Sequence, residues 1–246
     1  MDSPRLSRRR LLTGGAIAGV IPIASAATFS GSVPWQEGSA DAPHAAFAPQ
    51  PATRAFFTAA ESAFVEAAVA RLIPKDELGG GAVEAGVPAF IDSQLAGDFG
   101  QATRWYMQGP WSSGEKTQGY QTRMTPAALY RAAIREIDQA VGQAHKGNLF
   151  HQLPAADQDA WLGRLEKGDM ALPTADAKTF FTMLLQNTKE GFWSDPIYGG
   201  NRDMMGWKLI GFPGARYDHR PFVTHYNERY PLPPVGIAGR PEWKKG

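Results

Sequence analysis

The sequence predicts a mostly α-helical fold of about five or six helices, ending in a long tail rich in Gly, Pro and aromatic residues. Three observations lead there. Apolar residues recur at the helical period over several separate stretches. Each stretch is bounded by helix start and stop residues, chiefly Thr, Pro and Gly. No run shows the strict alternation of a half-buried strand, so no substantial sheet is expected, and no internal repeat occurs.

The first helix begins near Thr58, which forms a capping box with Glu61. Its apolar stripe is Phe64, Val65, Ala68, Val69, Leu72 and Ile73, and Pro74 ends it because proline cannot donate to the helix ladder. A turn at Gly79, Gly80 and Gly81 leads to a second helix with Pro88 near its first turn and Val87, Phe90, Ile91 and Leu95 facing inward. Residues 97–124 read as a long loop pinned by Phe99, Trp105, Tyr106, Trp111 and Tyr120, with one short helical turn. Thr125-Pro126 opens the clearest helix, whose inner face is Tyr130, Ala133, Ile134, Ile137, Ala140, Val141 and Ala144, with Gly147 as its stop. A further helix covers about 154–167 with Trp161, Leu162 and Leu165 buried and Gly168 ending it. Thr174 starts the last long helix, through Phe180, Phe181, Leu184, Leu185 and Thr188 to Gly191. Beyond Gly191 the helical period disappears. A non-helical tail of this length needs something to hold it, either its own core or a neighbour.

The N-terminus reads as a twin-arginine export signal: Ser7-Arg8-Arg9-Arg10-Leu11-Leu12-Thr13, with Arg8, Arg9, Leu11 and Leu12 as its defining residues. An apolar stretch to Ala27 follows, broken by Gly14, Gly15, Gly19 and Pro22, and Ala24-Ser25-Ala26 fits a small-residue cleavage pattern. Glycine and proline make a removable signal a better reading than a membrane span, although retention as an anchor stays open. Residues 1–26 form this signal, 27–52 a lead-in rich in Ala, Ser, Gly and Pro, and 53–246 one helical domain whose extended C-terminal segment starts at about 192. The expected compartment is the periplasm.

The formal charge of the 246-residue chain is +1, and the four arginines and one aspartate of the signal leave the remainder at −2. That remainder has no electrostatic footprint for nucleic acid. The absence of cysteine excludes disulfides, covalent c-type haem attachment, cysteine-ligated iron–sulfur clusters and a lipoprotein anchor.

A search for chemistry finds little. None of the five histidines follows a Glu by three residues, so the Glu-x-x-His pair of di-iron bundles is missing, as is His-Glu-x-x-His. Asp218, His219 and His225, with Glu228, are the one grouping that could serve a self-sufficient periplasmic enzyme or a metal-binding protein. Isolated histidines in an aromatic loop are more often structural. There is no Gly-x-Ser-x-Gly elbow, dinucleotide fingerprint or phosphate loop. Gly79-Gly80-Gly81 follows a helix rather than a strand, which favours a turn. The densest signature is Glu190 to Gly214, where Gly199-Gly200-Asn201 can supply positive φ and Trp193, Tyr198, Trp207 and Phe212 offer large rigid surfaces. Such a loop caps its own core, presents anchors to a partner, or both; Trp193, Tyr198, Asn201, Trp207 and Phe212 are the interface candidates. An export signal on a chain without a cofactor motif suggests an address carried for something else.

Three stretches resemble the gluconate 2-dehydrogenase subunit 3 family, the gamma or small subunit. They are Arg71-Leu-Ile-Pro-Lys-Asp76 with Gly81-Ala-Val-Glu-Ala-Gly-Val87 and Phe90-Ile-Asp92; the helix ending in Phe181, Leu184, Thr188 and Glu190-Gly191; and Asp195-Pro-Ile-Tyr-Gly-Gly-Asn201 through Gly206-Trp-Lys-Leu-Ile-Gly-Phe-Pro-Gly214. The resemblance implies a helical small subunit of a membrane-associated, FAD-dependent dehydrogenase of the glucose–methanol–choline class. In such complexes a large flavoprotein oxidises a sugar or sugar acid in the periplasm, and a multihaem cytochrome c subunit, which holds haem c, passes electrons to quinone. The small subunit resembles a dedicated chaperone that binds the flavoprotein and brings it to the Tat translocase. No catalytic, cofactor or metal residue is implied for this chain. Its departure from the family pattern is Phe150-His-Gln-Leu-Pro154, where a Ser or Thr helix cap is usual.

Overall fold

Short polar caps and prolines fix where the helices begin, and the computed structural model places them close to the expected positions. It describes residues 54–112, 114–115, 117–216 and 218–239. The export signal and the lead-in therefore lie outside the described residues. Helix α1 is Ala59–Leu72, α2 Val87–Ala96, α3 the single turn Asp98–Gln101, α4 Pro126–Ala144, α5 Ala155–Lys167, α6 Ala177–Trp193 and α7 Met205–Ile210. Among the described residues there is no strand; bridge pairing is confined to Asp76–Gly79 and Gly214–Val235.

The capping box of α1 is reciprocal. Thr58 Oγ1 accepts from the Glu61 N–H at 3.3 Å, and Glu61 Oε2 accepts from the Thr58 N–H at 2.8 Å. At α4 the Thr125 hydroxyl accepts from the Ala128 N–H, with Pro126 in the first turn. Gly147 at φ +90° turns the chain away after α4. Pro154 supplies only its carbonyl at the start of α5, accepting from the N–H groups of Asp157 and Gln158.

Helix α6 begins two residues later than the sequence suggests. Thr174 is not its cap, because both its N–H and its hydroxyl are donated to the Glu136 carboxylate of α4. Asp176 caps α6 instead, accepting from the Thr179 N–H at 2.7 Å. Nor does Gly191 stop α6, which continues to Trp193. Gly191 is there for closeness: a Cβ would lie 2.8 Å from the Phe90 ring on α2. The tail also differs from a wholly irregular one. It contains α7 and helical turns at Pro196–Tyr198, Arg202–Met204 and Arg220–Phe222, all too short to leave a 3.6-residue signature.

Helix α6 packs on α1, α2, α4, α5 and α7. The core is aromatic at its centre: Phe64 and Phe150 have ring centroids 4.6 Å apart, and Tyr130 meets Phe180 edge-on at 5.3 Å. Full burial of these rings contributes several kcal/mol, of the order of ~2–3 kcal/mol each. The buried Tyr130 hydroxyl accepts from Asn187 Nδ2 at 3.0 Å, and burial pushes its phenol well above the ordinary value. Ala144, by contrast, is exposed at the frayed end of α4.

Three carboxylates brace this frame, two by holding loops and one by joining helices. Asp92 on α2 accepts from the backbone N–H groups of Ala55, Phe56 and Phe57 at 2.6, 3.1 and 2.8 Å, anchoring the chain just before α1. Arg71 makes a two-pronged pair with Asp159 at 2.7 and 2.8 Å, joining α1 to α5. Glu136 is buried and accepts from the N–H groups of Thr174 and Ala175, both at 3.1 Å, and from the Thr174 hydroxyl. Burial alone would push the Glu136 carboxyl up. The Thr174 hydroxyl, the two N–H groups and Arg135 outweigh burial and hold it below the ordinary glutamate value.

A depressed folded value contributes stability that is complete above the unfolded value of about 4.3 and disappears as pH falls through the folded one. Glu136→Gln should therefore cost about 1–3 kcal/mol at pH 7. Its unfolding free energy should also fall less steeply than the parent's below pH ~4.3, where the carboxylate is protonated. Denaturant titrations between pH 7 and 3 check this; parallel curves would contradict it.

Candidate functional site

Three segments far apart in sequence meet around glycines. The first is the turn from Ile73 to Val87. Ala82 N–H donates to the Ile73 carbonyl at 2.8 Å, closing the chain over Gly81, where a Cβ would come within 2.5 Å of the Lys75 nitrogen. Gly81 N–H donates to Glu84 Oε2 at 2.9 Å. The second is the C-terminal end of α6, where Gly191 lies against Phe90 and Val87. The third is the loop Asp195–Gly214.

This third segment is seated on the other two by backbone contact. Arg202 N–H donates to the Ala85 carbonyl at 2.9 Å, and a Cβ on Gly86 would stand 3.0 Å from the Gly199 carbonyl. A Cβ on Gly200 would collide with the Gly191 carbonyl, and one on Gly206 with the Phe192 carbonyl. Only glycine permits two backbones to approach this closely.

Asn201 closes the arrangement. It is fully buried (0% exposed) at φ +45°; its Nδ2 donates to the Ser194 carbonyl at 2.8 Å and its Oδ1 accepts from the Gly206 N–H at 2.7 Å. Asn tolerates the left-handed region better than most residues, and both ends of its amide are used. Asp203 and Met204 also take positive φ, at +56° and +55°, and lead directly into α7. Asp195 is buried and accepts from the Ile197 N–H at 3.0 Å and the Ile237 N–H at 2.7 Å.

The five aromatic-loop residues divide by role. Asn201 and Trp207 point inward; Trp207 is buried and its Nε1 donates to the Trp193 carbonyl at 2.8 Å. Trp193 is half-buried, stacked edge-on against Phe192 at 4.9 Å. Tyr198 and Phe212 point outward, 55% and 44% exposed, with Phe212 resting edge-on against Trp207 at 5.2 Å. The same segments expose Leu78, Val83, Ile197 and Ile210. Leu78, Gly79, Gly80, Met205, Lys208 and Leu209 line a cavity of about 240 Å³ beside them. Met205, which sequence reasoning missed, fills the space over Gly80.

Asp218, His219 and His225 are not drawn together. Asp218 holds Arg220 at 2.9 Å on both carboxylate oxygens, His225 Nδ1 faces Glu228 at 2.8 Å, and the His219 ring lies against Tyr230. Among the described residues no three His, Asp or Glu side chains are grouped to hold a metal ion. What the glycine-seated loop can do chemically is present exposed apolar side chains from a closely packed frame.

The sequence model of the family described as gluconate 2-dehydrogenase subunit 3 matches residues 59–214, more than half of the chain. No curated protein and no solved structure matches it. The matched span ends at Gly214, the last residue of the third segment.

Gly199 and Gly200 should resist substitution for different reasons. Gly199 has φ +89° with open space around it, so Gly199→Ala should cost about 1–2 kcal/mol of backbone strain. Gly200→Ala forces the loop off α6 and should cost at least ~2–3 kcal/mol. Thermal and denaturant unfolding of the two variants checks the order. Equal stability of Gly200→Ala and the parent would contradict the close approach.

Proposed function

The chain belongs to the gluconate 2-dehydrogenase subunit 3 family, and from that premise we propose that it is a non-catalytic escort. It binds the FAD-dependent large subunit of a periplasmic, membrane-associated gluconate 2-dehydrogenase-like complex and supplies the twin-arginine signal for both. The multihaem cytochrome c subunit completes the complex, and FAD and haem c belong to those partners.

One observation carries this reading. The three segments that meet around glycines contain the stretches that resemble the family, and these segments expose Leu78, Val83, Ile197, Tyr198, Ile210 and Phe212. Exposed apolar and aromatic side chains on a rigid frame are the chemistry of a protein interface. The export sequence Arg8-Arg9-Arg10-Leu11-Leu12 adds the second half. A folded flavoprotein with its cofactor already inserted needs a route that carries folded cargo, and a bound escort with a twin-arginine signal provides one.

An obligate pair of this kind should bury more than the ~1,600 Å² typical of separable partners. Two experiments test the role. Removing Met1–Ala26 should leave the flavoprotein in the cytoplasm; periplasmic flavoprotein carrying FAD in that strain would end the co-export claim. Tyr198→Ser with Phe212→Ser should lower co-purification of the flavoprotein at least ten-fold, since interface aromatics commonly carry ~2 kcal/mol or more each. Undiminished co-purification from a normally folded double variant would remove this face from the interface.

A further inference from the structure

The loop between α3 and α4 carries aromatic residues that the glycine-seated face leaves unused. The sequence reads it as pinned by Phe99, Trp105, Tyr106, Trp111 and Tyr120. Phe99 and Tyr120 do pin it. Both pack against the core, and Trp105 sits against each of them, edge-on to Phe99 at 5.7 Å and tilted against Tyr120 at 5.2 Å. The Tyr120 hydroxyl donates to the Met124 carbonyl at 2.7 Å, and burial pushes its phenol up to about 12, so it stays neutral. Trp111 is half-buried, and a Cβ on Gly109 would come within 3.2 Å of its indole. Tyr106 does not pin the loop: it points outward, 80% exposed.

Trp105, Tyr106, Trp111 and Tyr120 line a cleft of about 590 Å³, a volume in the range of small-molecule sites. Beside these rings stand Gln108, Ser112 and Gln121, all exposed. Gln121 spends its Nε2 on the Gln118 carbonyl at 3.1 Å, which leaves its Oε1 as an acceptor. No charged side chain lines the cleft among the described residues.

This lining selects by exclusion. A phosphate or carboxylate ligand would lose its water here with no cation to compensate it. A quaternary ammonium ion needs ring faces set apart around it, whereas Trp105 and Tyr120 touch each other. A saccharide suits both kinds of lining. The C–H face of a pyranose ring carries partial positive charge and stacks on the electron-rich face of Trp or Tyr. Its hydroxyls both donate and accept, as do the amides and the serine hydroxyl beside the rings.

We propose that this cleft is a binding site for a neutral saccharide, which stacks on the aromatic rings while Gln108, Ser112 and Gln121 take its hydroxyls. No residue of the cleft belongs to the face around Tyr198 and Phe212, so the assignment is independent of the escort role. Its test needs no flavoprotein.

The test is saturation-transfer NMR on the full chain with four probes. Cellotriose stands for a free glucan and tri-N-acetylchitotriose for an amino-sugar glycan of a cell wall. Glucuronate is a pyranose ring bearing a carboxylate, and glycine betaine is the quaternary ammonium control. Saturation of at least one trisaccharide is expected, strongest at its ring C–H protons, and the stronger of the two marks the source. Glucuronate and betaine should stay at background. Tyr106→Ala with Gln108→Ala removes one stacking face and one amide at exposed positions and should weaken binding about ten-fold. Four results would overturn the assignment: neither trisaccharide saturated, glucuronate saturated as strongly, betaine saturated as strongly, or full saturation kept by a double variant that melts like the parent. The comparison among probes stands on the parent chain alone, whether or not the double variant folds.

Discussion

Backbone-to-backbone contact at glycine is the constraint on which the rest of this structure depends. At Gly81, Gly86, Gly191, Gly200 and Gly206 a single added carbon would meet main chain or a packed ring. Main chain cannot swing aside as a side chain can, so the three segments fit in one relative position. Asn201 adds specificity to this contact by spending both ends of its buried amide within the loop. The outward residues inherit their rigidity from it. Tyr198 ends the turn capped by Asp195, and Phe212 leans on a Trp207 that is itself hydrogen-bonded to the end of α6.

A rigid apolar face suits an escort. Order already present in the free chain is not lost again on binding, so more of the contact energy appears as affinity. The carboxylates serve the same end elsewhere: Asp92, Glu136 and Asp195 each collect loop N–H groups that no helix could satisfy. Through them a helical bundle carries long irregular segments without a sheet to hold them.

Much of the bundle was legible in the sequence because its signals are local. The Thr58–Glu61 box, Thr125-Pro126, Gly147 and Gly168 each act within one turn, and the apolar stripes of α1, α2, α4, α5 and α6 follow the helical period. What was not legible depends on distant partners. Thr174 looks like a cap until Glu136, 38 residues away, takes its donors. Gly191 looks like a stop until Phe90 is placed beside it. The signature loop stood out in composition, and positive φ at Gly199 and Asn201 was legible there; the inward side chains of Asn201 and Trp207 were not, because they depend on the Ser194, Gly206 and Trp193 backbone groups they bond and on positive φ at Asp203 and Met204. Met205 carried no signal at all before Gly80 was known to lie under it.

The central claim is that the face built by the glycine contacts is where the flavoprotein sits. Amide hydrogen exchange, followed by mass spectrometry on the free chain and on the chain bound to its flavoprotein, tests it directly. Slower exchange on binding is predicted for residues 76–86 and 196–212. Unchanged exchange there, with protection appearing instead along α5 or the outer side of α4, would contradict it.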